Sequence, residues 1–508
     1  MKNLFIASIV LFASTVAYAD ATPAPVVSGV SMVQGPGNRL VTISYTLSDS
    51  PAVITLDIQT NVVANATSDS DEWASIGGEA IWNASGDVWK KVGATLTEGN
   101  SVAGTITWRP DLSWPDHKLD GVAVQARAVV TAYAVDNPPD YMVLDLLASG
   151  VADSERYYPG ADFLPKSDYS QVGAITNNPA YKTTKLVMRK IMAKNIRWTM
   201  GSYADGTEKS RSAGKETVSG VNIDTEAAHE VELTNNYYMA VFETTQAQWA
   251  IVVPEHWPSY FTNTVDRAYR PVEQISYAEI RAANPLTVTS GSSSNFLTNH
   301  GDDYLWPNDP HSDSFLGRLH NITGLKFDLP SEAEWEFACR AGNGNGKWGN
   351  GETVLHQSTS SSVSDANLAH VGRYNVNHKE ISGNKTWDQV DGTVLASEGG
   401  TAIVGSYQPN SWGLYDMHGN LMEICLDWYE ADISTFGGKV NLDPVNPTDS
   451  LSGTTYKFFG NGAGGRVRRG GAAGVTAPNC RSAYRKSKIS NTVTSEKNTG
   501  FRIVCPID

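Results

Sequence analysis

Up to about Leu147 the chain is built from short runs of alternating apolar and polar residues. Beyond about Leu186 it is not, and that change limits what the chain can fold into. Val41, Ile43, Tyr45 and Leu47 alternate with Thr42, Ser44 and Thr46, the two-residue period of a half-buried strand. Val53–Ile58, Gly104–Trp108, Val122–Val130 and Tyr141–Leu146 read the same way, separated by clusters of Gly, Pro, Asn and Asp. Short strands at that spacing predict an immunoglobulin- or fibronectin-like β-sandwich over residues 20–147. No cysteine falls in it, so the expected sandwich lacks an inter-sheet disulfide. Trp108, Pro110, Trp114 and Pro115 read as a packed loop over a sheet end, with a carbohydrate-contacting aromatic patch as the alternative. The region carries no catalytic constellation and reads as a spacer or adhesion module.

Residues 148–185, with Pro159, Pro165 and Pro179 among polar residues, read as a linker or as an edge strand leading into the next domain. From 186 to 508 the pattern is short strands, two helices and long Gly/Asn/Ser-rich loops, which makes the whole chain α+β. One helix covers Thr245–Val252. The other covers Ser331–Cys339, where Ser331 and Glu334 have the spacing of a capping box. Glu332, Glu334 and Glu336 on that helix are expected to be capping and surface charges rather than an acid/base pair. Arg281–His320, largely polar, is a long insertion with no assigned role.

Ahead of the sandwich, Lys2, the apolar run Leu4–Val16 and Ala17-Tyr-Ala19 match a cleavable signal peptide over residues 1–19. The run is shorter than the roughly 20 residues a spanning helix needs, and no later stretch comes close. Cleavage after Ala19, a secreted or periplasmic location and no membrane insertion are expected. The 39 Lys and Arg against 54 Asp and Glu give a net charge of −15, which repels phosphate backbones and argues against a nucleic-acid partner. Four cysteines allow three pairings if all are oxidised.

General catalytic patterns are missing: the sequence has no HExxH, CxxC, GxSxG or Walker loop. Gly344–Gly349 and Gly460–Gly465 satisfy GxGxxG by letter, but neither is framed by a strand before and a helix after.

Arg197-Trp-Thr-Met-Gly201-Ser, Tyr237–Trp249, Arg270–Tyr277, Phe327–Gly342 and Asn410–Glu423 occur in that order, followed by Arg469-Gly-Gly471, Cys480–Arg485 and Gly500-Phe-Arg502. Together these motifs resemble the formylglycine-generating enzyme (sulfatase-modifying factor) family. The resemblance implies that family's irregular α+β fold, related to C-type lectins, for about Leu186 to Asp508. Glycines at Gly413, Gly419, Gly470, Gly471 and Gly500 suit positive φ or close backbone approach. Arg340, Arg485 and Arg502 can each satisfy several loop carbonyls or carboxylates.

Two carboxylates flank the turn Asp416–Glu423, oxygen chemistry that suits Ca²⁺. The resemblance implies calcium on the side chains of Asp416 and Glu423 and the backbone oxygens of Gly419 and Leu421. A second calcium site is implied at Asn367 and Leu368 with Asp391, although an apparent insertion near Thr393–Gly400 disturbs the last of these. The reading without calcium has Asp416 and Glu423 bonding backbone N–H groups.

Formylglycine-generating enzymes oxidise a substrate cysteine to an aldehyde with oxygen and copper held by two thiols five residues apart. Counted from Arg469-Gly-Gly471, the first position is Val475 and the second is Cys480. Alternatively, Cys480 opens the family's later "C-x-A-x-R" element, and the resemblance then implies a structural disulfide from Cys339 to Cys480. Either alignment leaves at most one thiol where soft Cu(I) needs two. Cys425 and Cys505 stand at no catalytic position of the family.

The resulting expectation is a secreted, calcium-stabilised recognition module for a protein, peptide or glycan ligand, without copper. Its rival is a divergent oxidoreductase that converts a protein cysteine to formylglycine. A hypervariable lectin-like binder also uses this fold, but Arg481–Thr499 holds only Asn491 and Asn498 as asparagine.

Overall fold

The computed structural model describes residues 23–507 apart from 36, 38, 62–72, 117–124, 167–173, 203–214, 219–220, 262–265, 283–307, 345, 356–363, 378–388, 391–392, 395–399, 430–432, 434–439, 443–465 and 490–495. The expected signal peptide therefore lies outside the described residues, as do Asp391 and most of the 281–320 insertion.

At the amino end, Val26–Gln34, Val41–Ser48, Ser101–Trp108 and Ser85–Gly86 form one antiparallel sheet in that order. In a second sheet Ala52–Asn61 pairs with Trp73–Ser75, Lys90–Val92 and Gln125–Ala134. The alternation along Val41–Ser48 has the expected consequence. Val41, Ile43, Tyr45 and Leu47 are buried, Ser44 is exposed, and Thr42 and Thr46 are half-buried. Ile43, Tyr45 and Leu47 share a core with Ile54, Leu56, Ile58, Ile106 and Val130, so the two sheets meet face to face. Each such aliphatic side chain contributes roughly 1.5–3 kcal/mol on burial. Gly104 pairs with Tyr45, and a Cβ there would come within 2.1 Å of the tyrosine ring. Trp108 is core: its indole N–H donates to the Ala80 carbonyl at 2.9 Å, and Trp114 stacks on it at 6.4 Å.

The boundary after this region differs from the sequence reading. Tyr141–Asp145, expected to close the sandwich, pairs instead with Glu155–Tyr158 and Lys185–Ile191. Tyr237–Ala240 and Val504–Pro506 complete that five-stranded sheet. Residues 148–185 supply its edge strand, the second of the two readings made for them from sequence. The physical reason is visible in Tyr141, Met142, Val143 and Leu144, which are all buried, the unbroken apolar run of a strand covered on both faces. Tyr141 and Val143 enter the core that holds Ile43 and Leu56. Met142 and Leu144 enter a second core with Met188, Trp249 and Phe501. One sheet thus joins the two halves of the chain through packed cores on both sides.

The remaining chain is sheet-rich with few helices, an α+β arrangement. Thr245 caps Gln246–Val252 and Ser331 caps Glu332–Arg340, each with a reciprocal capping box. A helix not foreseen, Phe315–Thr323, ends at Gly324 with φ 71° and lies in the stretch read as a polar insertion. Its Phe315, Leu316 and Leu319 are fully buried. Met422–Trp428 lies between Arg466–Arg469 and Thr499–Gly500. That places the Asn410–Glu423 motif beside the Arg469-Gly-Gly471 motif.

Candidate functional site

The helix Glu332–Arg340 organises the region. Glu334 serves its cap, as expected, but Glu332 and Glu336 are buried rather than surface charges. Glu336 accepts the Gly201 N–H at 2.9 Å and pairs with Arg340 at 2.6 Å and Arg469 at 2.5 Å. Burial alone would raise its pKa, yet the two guanidiniums hold it down at about 2. Glu332 pairs with Arg485 at 2.5 Å and with Arg469 at 2.8 Å. Arg340 and Arg485 thus bind carboxylates and loop carbonyls together, the role read for them from sequence.

The turn Asp416–Glu423 lies on the other side of this network. Asp416 and Asn420 adopt positive φ of 58° and 61°. At Gly419, φ is 93° and a Cβ would collide with the Arg373 carbonyl at 2.1 Å. Asn420 donates to Glu243 at 2.6 Å and accepts the Ala402 N–H at 2.7 Å. Glu423 binds Arg502 through both oxygens at 2.6 Å and accepts the Trp335 indole N–H at 2.7 Å. Asp416 accepts the Gly405 N–H at 2.7 Å through Oδ2, while its buried Oδ1 has no hydrogen-bond partner. Burial pushes the Asp416 pKa up to about 6. Burial, reinforced by the charges of Asp416 and Glu423, raises Glu243 well above the usual carboxylate range.

Calcium gathers about six to eight oxygens. The residues implied for it at this turn do not fit as arranged, because both Glu423 oxygens already face a guanidinium. Among the described residues, no group of three or more His, Cys, Asp or Glu converges in a way that could hold a metal ion. At the second implied position, Asn367 donates its side-chain amide to the Thr353 carbonyl at 2.8 Å. The Asn367 and Leu368 N–H groups both donate to Asp365 at 3.0 Å.

All four cysteines are buried, and none forms a disulfide. The pairing implied for Cys339 and Cys480 is therefore not made. His418 stands at both: its Nε2 is 3.7 Å from the Cys339 sulfur, and its Nδ1 donates to the Cys480 carbonyl at 2.8 Å. Gly349 N–H donates to that same Nε2 at 2.9 Å, which fixes the neutral tautomer. Burial lowers the His418 pKa to about 4. The side chain that approaches the Cys339 thiol from the Cys480–Arg485 segment is Ser482, two residues beyond Cys480. Its hydroxyl makes no hydrogen bond of good geometry, and the thiol, pushed up to about 12 by burial, stays protonated.

Counted by spacing alone from Arg469-Gly-Gly471, the two positions five residues apart are Val475 and Cys480. Both residues belong to an apolar cluster with Trp348, Leu368, Val371 and Tyr374. Burial pushes the Cys480 thiol up to about 12. A valine and a protonated, buried thiol do not fit Cu(I), which requires thiolates.

Just ahead of Val475, Ala473 and Gly474 line a cleft of about 400 Å³ together with Phe261, Thr401, Asn420 and Lys497. Glu273 shapes one wall by accepting the Tyr260 and Phe261 N–H groups, both at 3.0 Å. The Phe261 ring packs on Gly400, where a Cβ would come within 2.3 Å of it. Lys497 places its ammonium 3.1 Å from the centre of the Tyr260 ring. Thr401, at 1% exposure, has a hydroxyl without a hydrogen-bond partner. Of the residues lining the cleft only Asn420 falls in a motif quoted from the sequence, since the other lining segments lie far apart in the chain and share no motif.

Residues 185–507 match the sulfatase-modifying factor enzyme 1-like domain, and the chain belongs to that family. It is 30% identical over 181 residues to the formylglycine-generating enzyme of Thermomonospora curvata, covering 34% of this chain and 48% of that protein. The chain spans about half the length of the first formylglycine-generating enzymes it matches. It is 27% identical over 243 residues to a protein described as chaperone protein LppX from Paenibacillus barcinonensis, covering 45% of this chain and 77% of that one. Among solved structures, Treponema denticola variable protein 1 aligns at 23% identity and a TM-score of 0.39, covering 63% of this chain and 95% of that one.

Proposed function

We propose that this chain is an exported recognition protein whose sulfatase-modifying-factor domain binds a peptide or glycan ligand at the cleft beside Gly474 and does not oxidise cysteine. The observation that carries the reading is the pair Val475 and Cys480. The two positions five residues apart hold one aliphatic side chain and one thiol that burial keeps protonated. Family membership does not by itself set the reaction, and the relatives' own descriptions range from formylglycine-generating enzyme to chaperone. The two amino-terminal sheets are read as the immunoglobulin- or fibronectin-like sandwich. Their shared core with the family domain would hold the cleft at a set orientation on that stalk. No described helix is long and apolar enough to cross a membrane.

The test is a screen of peptide and glycan arrays with the whole exported protein, paired with a Gly474→Phe variant. Gly474 is exposed at the cleft, and a Cβ there would meet nothing within 4 Å, so the larger side chain narrows the cleft without disturbing the core. Ligands bound by the native chain and lost in the variant support the cleft as the site. Ligands bound equally by both place recognition elsewhere and contradict it.

A further inference from the structure

Three carboxyl groups are buried together at the turn around Asp416. Glu243, Asp416 and Glu423 are each no more than 1% exposed, and Glu243 interacts electrostatically with the other two. Removing such groups from water is costly unless a cation is present. Arg502, itself fully buried, is the cation that faces them. It grips Glu423 with two donors at 2.6 Å. Its remaining donors reach the carbonyls of Ala240 at 3.0 Å, Val241 at 3.3 Å and Tyr415 at 2.9 Å. Lys182, whose ammonium lies 5.6 Å from the Phe242 ring centre, adds a second positive charge toward Asp416.

A guanidinium that gathers one carboxylate and three carbonyls from separate chain segments has collected the hard oxygen set a calcium ion would take. We propose that Arg502 is the resident cation of this turn, so that Asp416–Glu423 closes without calcium and becomes able to bind calcium only when that guanidinium is removed. The buried Asp416 Oδ1, which has no hydrogen-bond partner, is the oxygen still available to an ion once Arg502 is gone. Glu423, released from its fork, would supply two more. This inference concerns the fold's internal cation and stands apart from the reading of the cleft.

The test uses the full exported chain. Thermal unfolding of the native protein is measured in Ca²⁺ and in a calcium chelator, with metal analysis of the purified protein. Tm is expected to be the same in both, with calcium well below one ion per chain. Arg502→Ala is expected to lower Tm, and Ca²⁺ is expected to restore part of the loss where Mg²⁺, which demands a tighter octahedral site, does not. Arg502→Lys, which keeps the charge but not the fork, is expected to be intermediate and insensitive to Ca²⁺. A native Tm that falls in chelator, or one calcium per chain after purification, overturns the proposal. Should Arg502→Ala fail to fold in any buffer, the native measurements and the lysine variant decide.

Discussion

Glu336 and Arg469 meet at 2.5 Å in the interior, 133 residues apart in sequence, with Arg340 on the other side of the same carboxylate. The pair joins the helix of the Phe327–Gly342 motif to the strand that leads into Arg469-Gly-Gly471. Removing one partner of a buried pair leaves an uncompensated charge, which costs about 3–5 kcal/mol. Glu336→Gln should therefore lower stability by roughly that amount in urea unfolding, with secondary structure retained in native buffer. A loss below about 1 kcal/mol, the value of a surface pair, would show that the network is not buried as described.

Gly104 faces the ring of Tyr45 at a distance no Cβ tolerates. Gly104→Ala should destabilise by about 1–3 kcal/mol through overpacking. Because Tyr141 and Val143 share that core, the effect should appear in the single unfolding transition of the whole chain. A separate, earlier transition for the amino-terminal sheets would contradict the shared core.

Cys339 and Cys480 are buried, with thiols pushed up to about 12. In the native protein both should resist alkylation at neutral pH and react only on unfolding. A non-reducing peptide map should find no Cys339–Cys480 link. Finding one would restore the disulfide implied by the family resemblance and rule out the placement of Ser482 beside Cys339.

Glu273 should make the cleft wall sensitive to pH. Burial raises its carboxyl from the usual 4.5 to about 7, against the opposing pull of the Phe261 and Tyr260 N–H groups. The folded state therefore holds this proton more tightly than the unfolded chain does. Its contribution to stability is fully present below about 4.5 and is lost as pH rises through about 7. In Glu273→Gln that component should vanish, flattening the stability–pH curve between those values. An unchanged curve would place the titration elsewhere.

Local rules made some of this fold legible in sequence. The alternation at Val41–Leu47 and the Ser331–Glu334 capping box depend on neighbours within a few residues, and both are present. The ordered motifs identified the family domain that residues 185–507 match. What escaped depends on partners far along the chain. Glu332 reads as a surface charge until Arg485, 153 residues on, closes over it. Tyr141–Asp145 reads as one more sandwich strand until Lys185–Ile191 pairs with it. Five separate segments build the cleft, and apart from Asn420, which lies in the Asn410–Glu423 motif, none of them differs from an ordinary loop.

The most direct test of the proposed function is a copper and oxygen assay on the whole protein. The native chain is offered Cu(I) and a cysteine-containing peptide, and the peptide is analysed for aldehyde by mass spectrometry. With Val475 and a protonated Cys480 at the two positions, no tight Cu(I) binding and no formylglycine are expected. Copper bound at one ion per chain with aldehyde forming on the peptide would contradict the account and establish an oxidase.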